Sequence, residues 1–152
     1  MVTIFDVSNF FLSKESMSHM KLQKLCYYSQ AWSYALRERA MVTDTEFEAW
    51  IHGPVSPELY QEYQKYGFAD IPQYKGDLYT FTAEELENLE STWETYGDST
   101  GNSLSVLSHG ELPWIKARGN YPANAQCSNK IDPKDMIEYY RSIYIGDLTE
   151  LA

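Results

Sequence analysis

The side chains of this sequence best suited to metal or covalent chemistry are His19, His52 and His109, with Cys26 and Cys127. A zinc hydrolase carries its ligands at fixed spacing, as in HExxH on one helix, and the three histidines each stand alone. His109-Gly110-Glu111 sets a carboxylate two residues from an imidazole. That pair, completed by another histidine, is the enzymatic alternative: a hydrolase using His109 and Glu111. Isolated histidines more often serve as hydrogen-bonding groups than as metal ligands. Neither cysteine belongs to a CxxC pair, so a structural zinc site is not expected. Cys26 lies within an apolar helical stretch, where nothing lowers its thiol pKa, and reads as a small core residue. GxSxG, GxxxxGK[ST] and GxGxxG are absent, which removes the common serine nucleophile and phosphate loops. The expectation is a protein with no catalytic residues, no metal and no cofactor.

Charge narrows the partner. The 152 residues carry 22 Asp and Glu against 12 Lys and Arg, a net charge of −10. Nucleic-acid binding needs lysine and arginine to neutralise phosphates, so it is disfavoured. A basic protein partner is better matched electrostatically, although an acidic balance also simply keeps a small protein soluble. The most basic element is the second helix, with Lys21, Lys24, Arg37 and Arg39, and a nucleic-acid-binding regulator would have to use that side. Thirteen tyrosines fit either an interface or the edge of a core, since tyrosine combines area with a polar tip. At 43% hydrophobic and 15% aromatic, the chain can bury a core and is expected to form one domain over 1–152. It has no apolar run of membrane-spanning length. The first residues lack a basic n-region and a small-residue cleavage site, so a cytoplasmic protein is expected.

Six helices account for most of the sequence. Thr3 caps a first helix with Asp6 in its first turn and Phe5, Phe10 and Phe11 available to the core. From about 18 to 39, Leu22, Leu25, Cys26, Trp32 and Leu36 recur at helical spacing, with Ser29 on the same stripe. Thr82-Ala-Glu-Glu85 is a capping box opening a helix with Leu86, Leu89, Trp93 and Tyr96 on one side and a run of glutamates elsewhere. Asn102 is expected to cap a short helix closed by Gly110, and Pro113 to open another closed by Gly119. Asp132-Pro133 opens the last helix, with Met136, Ile137 and Tyr140 inward. The tail GDLTELA is expected to fray. Residues 44–51 fit a short strand or a helical turn, and 70–81 a loop with a short strand or hairpin. The fold class is therefore mainly α: a single compact domain of about six helices with at most a small β-hairpin.

One corner is unusually punctuated. In AWIHGPVSPELYQEYQKYG (49–67), Gly53 permits backbone conformations other residues resist, and Pro54 turns the chain away from helix. Ser56 then caps and Pro57 starts a new helix, with Glu58 near its positive end and Gly67 closing it. The corner is expected to lock two helices against Trp50 and Trp32, and Gly53→Ala to destabilise, by more than ~1 kcal/mol if Gly53 has φ > 0.

Three blocks carry a resemblance: KLQKLCYYSQAW (21–32), FEAWIHGPVSPELYQEYQKYG (47–67) and LSHGELPW (107–114). In this order they resemble the Panacea domain, shared by phage-associated GepA-like proteins and SocA-like antitoxins, over about residues 15–120. Residues 121–152, a loop and helix, match nothing in that pattern. The resemblance implies an antitoxin of a bacterial or prophage toxin–antitoxin system, which neutralises a cognate toxin by direct protein contact and is not an enzyme. It carries over Lys21, Lys24 and Tyr27 from the first block, Trp50, Gly53, Pro54, Val55 and Tyr60 from the second, and His109, Pro113 and Trp114 from the third. These are implied as scaffold or partner-binding residues, without a catalytic role. The oligomeric state is left open.

Overall fold

A computed structural model describes the backbone of residues 1–151 and the side chains through Tyr144. Seven helices and one small hairpin follow in the order α1 (Ile4–Lys14), α2 (His19–Arg37), β1 (Glu48–Trp50), β2 (Gly53–Val55), α3 (Pro57–Tyr63), α4 (Ala83–Tyr96), α5 (Gly101–His109), α6 (Leu112–Arg118) and α7 (Pro133–Leu151), with a 3-10 turn, Gln64–Tyr66, after α3. The mainly α expectation holds, with one more helix than anticipated.

Local signals set most boundaries. Thr3 and Asp6 form a reciprocal capping box at α1, and Thr82 and Glu85 do the same at α4. Ser18 caps α2 through the Lys21 amide, and Ser56 caps α3 ahead of Pro57. Two expectations fail. Thr100, not Asn102, caps α5, because its hydroxyl accepts from the Ser103 amide. Residues 70–81 hold no strand or hairpin; Ile71 instead makes an isolated bridge to Met17. The backbone of α7 runs on through the tail expected to fray, as far as Leu151; Ala152 lies outside the described residues.

The arrangement is centred on α2, which α1, α4, α5 and α7 all pack against. Leu22, Leu25, Cys26, Tyr28 and Ala31 of α2 are fully buried, against Phe11, Leu59, Leu89, Leu104 and Met136. A helix surrounded in this way has little polar face to spare, so its polar side chains must find partners inside. Gln30 does so by accepting from the amides of Met41 and Val42 at 2.8 and 3.0 Å and donating to the Val42 carbonyl at 2.9 Å. Phe5, Leu36 and Leu86, expected in the core, are exposed.

Candidate functional site: a clasped hairpin beside an aromatic groove

The punctuated corner is an antiparallel hairpin running into α3, with Trp50 paired to Gly53 and Ala49 to Pro54. Two-residue hairpin turns usually need positive φ inside the turn. Here Ile51 and His52 occupy it with negative φ, and the positive value, +110°, falls on Gly53 immediately after. A Cβ at Gly53 would lie 2.6 Å from Ser108 Oγ and 2.8 Å from Lys24 Cε. Glycine is required twice over, by conformation and by close approach.

Side chains from distant parts of the chain hold this hairpin by its carbonyls. Arg118 donates to Ala49 O at 2.9 Å, Trp114 Nε1 to Trp50 O at 2.8 Å, and Ser105 Oγ to His52 O at 2.7 Å. His109 Nε2 faces Ile51 O. From α2, Lys24 Nζ donates to Pro54 O at 3.0 Å. Gln23 takes both main-chain groups of Ser56, donating to its carbonyl at 3.1 Å and accepting from its amide at 2.8 Å. On the outer edge, the Ala49 amide reaches Asn129 O and the Ile131 amide reaches Phe47 O. Residues 129–131 thereby lie along β1, and the C-terminal region joins the clasp.

This geometry places each residue singled out from the sequence. Lys24, Gly53, Pro54, His109 and Trp114 meet at the clasp, Trp50, Val55 and Tyr60 line the groove beside it, and Pro113 opens α6. Tyr27 is elsewhere, buried in the core with its hydroxyl 3.0 Å from that of Tyr140. Lys21 faces the far side, bonded to Glu15 at 2.8 Å and to the Gly97 carbonyl. Trp32 does not support the corner; its indole donates to Tyr96 at 2.8 Å and its ring lies against Tyr140. The corner joins a hairpin to one helix, not two helices, and Trp50 belongs to the hairpin itself.

Two readings of the sequence do not assemble. His109 and Glu111 are not bonded to each other: both His109 ring nitrogens face carbonyls, those of Ser105 and Ile51. Glu111 is buried on another side, accepting from Tyr28 at 2.7 Å and Tyr140 at 2.8 Å. Since Tyr140 donates to Glu111, Tyr27 donates to Tyr140, and a chain of tyrosine hydroxyls ends on one carboxylate. Among the described residues no group of three or more His, Cys, Asp and Glu could hold a metal. Burial pushes the Cys26 thiol up, away from reactivity. The basic side of α2 is also not available as a patch. Lys24 is buried, and Arg37 and Arg39 pair with Glu84 of α4, with Arg37 also 3.8 Å from Glu87. The same pairs, with Lys14–Glu90 at 3.1 Å, partly neutralise the glutamate run.

Glu111 gives a first expected result. Burial raises its pKa against the lowering effect of the Tyr28 and Tyr140 hydrogen bonds. The folded state therefore holds its proton more tightly than the unfolded state. Its contribution is fully present below the unfolded value, near 4.3, and is lost as pH rises through the folded value. Glu111→Gln keeps an acceptor for both hydroxyls and removes the charge. Urea titrations from pH 4 to 7 are expected to show the variant gaining on the wild type as pH rises. Glu111→Ala orphans two hydroxyls and should cost about 3 kcal/mol. A difference between wild type and Gln variant that ignores pH would contradict the burial argument.

Beside the clasp lies a groove of about 710 Å³. Its walls include His19, Lys24, Trp50, Tyr60, Phe68 and Tyr121. Trp50 meets Tyr60 edge to face at 4.9 Å, and His19 stacks on Tyr60 at 5.7 Å. Gln23 can only donate through its amide nitrogen, so His19 Nε2, 3.1 Å away, accepts. Burial and the nearby Lys24 lower the His19 pKa to about 4, consistent with a neutral ring. Burial alone brings the Lys24 amine down to about 7. At the rim Phe68 is fully exposed, and Tyr60 and Tyr121 are 40% and 49% exposed.

Residues 22–115 match the family profile described as Antitoxin SocA-like, Panacea domain. The chain belongs to this family. No curated protein and no solved structure matches it. The matched span begins at Leu22 and ends at Ile115, so it holds the hairpin together with the clasp groups of α2, α5 and α6 as far as Trp114. Panacea-domain membership indicates an antitoxin-like protein. No helix among the described residues is long and apolar enough to cross a membrane.

Arg118, Gln23 and Ser105 are clasp residues that spacing and resemblance miss. Arg118 is 3% exposed, lies 4.9 Å from the Trp114 ring and donates to the carbonyls of Ala49, Pro122 and Ala125. Its only sequence signal is an arginine in the last turn of α6, which ordinarily reads as a favourable interaction with the helix dipole. Gln23 lies between two lysines and reads as surface.

Proposed function

We propose that this Panacea-domain protein neutralises a cognate toxin by direct contact in the cytoplasm, and that the aromatic groove is where contact is made. The observation that carries the reading is the division of labour among the family residues. Polar groups of His109, Trp114 and Lys24 hold the hairpin, while Trp50, Val55 and Tyr60 open onto a groove whose rim exposes Phe68 and Tyr121. Large aromatics left exposed around a concave surface fit a protein interface better than a solvated face. A net charge of −10 further suits a toxin with basic residues around its contact surface.

The test is co-expression with the product of the neighbouring reading frame, scored by growth and by co-purification. The expected result is restored growth and a complex that survives purification. Tyr60→Ala combined with Phe68→Ala, both at exposed positions, should weaken the complex at least about tenfold with little change in melting temperature. Continued toxicity in the presence of folded protein would overturn direct neutralisation. Full rescue by the double variant would overturn the groove as its site.

A further inference from the structure

Lys24 is 1% exposed, and among the described residues no carboxylate pairs with it. Its amine has three donor positions, and the structure uses one, on Pro54 O. The arrangement is unusual in a protein with 22 acidic residues. No Asp or Glu lines the groove, and its ionisable bases are Lys24, His19 and His52. The nearest carboxylate on the hairpin, Glu48, already accepts from the Trp50 indole at 2.9 Å. A chain with so many acids has kept them from this one concavity and left a buried amine in its wall. Buried charges are ordinarily paired, so the groove is complementary to a group that supplies the missing negative charge.

Deepening the direct-contact reading, and resting on it, we propose that the groove receives an acidic side chain of the partner: an Asp or Glu within an apolar, extended segment, its carboxylate directed at the Lys24 amine. The apolar neighbours of that acid would cover Phe68, Tyr121 and Tyr60, which a small inorganic anion would leave exposed. Met20 also lines the groove, and its flexible thioether can adjust to the incoming segment. The overall acidity of the chain and this local preference act on different scales. The first biases encounter with a basic partner and the second fixes register once the partner is seated.

The probe is a library of random dodecapeptides displayed on phage and selected on the intact wild-type protein, so the toxin is not needed. Enriched sequences are expected to share one acidic position with apolar neighbours. In a synthetic peptide of that sequence, blocked at both ends, Glu→Gln should weaken binding about tenfold or more, which is about 1.4 kcal/mol. Lys24→Met should weaken the Glu peptide by a similar factor and leave the Gln peptide unchanged, a coupling that independent sites do not show. Tyr60→Ala, at the exposed rim, should weaken both peptides alike and provides a groove test that does not depend on changing a buried residue. Enriched peptides without an acid, equal binding of the Glu peptide by wild type and Lys24→Met, or enrichment unaffected by Tyr60→Ala would each overturn the proposal. Loss of binding when the peptide C-terminus is amidated would also overturn it, since the ligand would then be a chain end. If Lys24-dependent selection of an acid is found while groove variants still neutralise the toxin, the groove assignment stands and its role in direct neutralisation fails.

Discussion

Lys24→Met is expected to make this protein more stable near neutral pH, by about 2 kcal/mol. Burial lowers the folded-state pKa from 10.5 to about 7. Below pH 7 the amine is charged in both states and the folded state carries the whole cost of burying it. Between about 7 and 10.5 the folded state holds fewer protons than the unfolded state, so this residue makes stability rise with pH, at up to about 1.4 kcal/mol per unit. Above that window both forms are neutral and the cost is gone. Methionine removes the charge and most nearly keeps the length of the stem, but it leaves Pro54 O without its donor, a loss of about 1–3 kcal/mol. The difference between the two effects leaves the net gain. Urea unfolding of wild type and variant at pH 6.5, 8 and 9.5 should show the variant's advantage shrinking as pH rises. A variant less stable than wild type at every pH would mean that the amine is compensated within the fold. A lysine that weakens its own fold is explained by use elsewhere, which is why it anchors the groove proposal.

Gly53→Ala has the largest expected effect in the opposite direction. The positive φ of +110° strains any residue with a Cβ. The new methyl would also sit 2.6 Å from Ser108 Oγ and 2.8 Å from Lys24 Cε. Strain and overpacking each contribute about 1–3 kcal/mol, so a loss of about 2–6 kcal/mol is expected, with a fall in melting temperature of roughly 10 °C. Adding Ser108→Gly separates the two causes. It removes the nearer contact but cannot relieve the backbone, so it should restore only part of the loss. Unchanged thermal stability in Gly53→Ala would contradict the strained corner, and full restoration by Ser108→Gly would assign the whole effect to contact. Because Lys24 and Ser108 lie on different helices, either outcome also measures how firmly α2 and α5 hold the hairpin.

The tyrosines show why composition left a choice open. Tyr27, Tyr28, Tyr96 and Tyr140 are buried, with Tyr28 stacked on Tyr96 at 4.1 Å, while Tyr60 and Tyr121 stand at the groove. Both uses are present, and no count of tyrosines separates them. The resemblance names Lys24, Trp50, Gly53, Tyr60, His109 and Trp114 together, and it does not divide them into clasp and groove. Proximity along the chain also misled in the case of His109 and Glu111. Two residues apart, they cross the junction of α5 and α6, and each is drawn to a different set of partners.

What the sequence determined alone is what depends on neighbours within about one helical turn. The Thr3–Asp6 and Thr82–Glu85 boxes and the Ser56-Pro57 start are satisfied by groups three or four residues away. Those rules hold whatever surrounds them. Burial is different, because it is decided by elements far along the chain. Lys24 reads as a flank of an amphipathic helix until β2, thirty residues on, covers it. Arg118 reads as a dipole partner until the hairpin presents Ala49 O, 69 residues earlier. An amphipathic pattern identifies one inward face, but α2 is enclosed by α1, α3, α4, α5, α7 and the hairpin. Only the tertiary structure could turn its lysine and glutamine into the clasp and the groove wall.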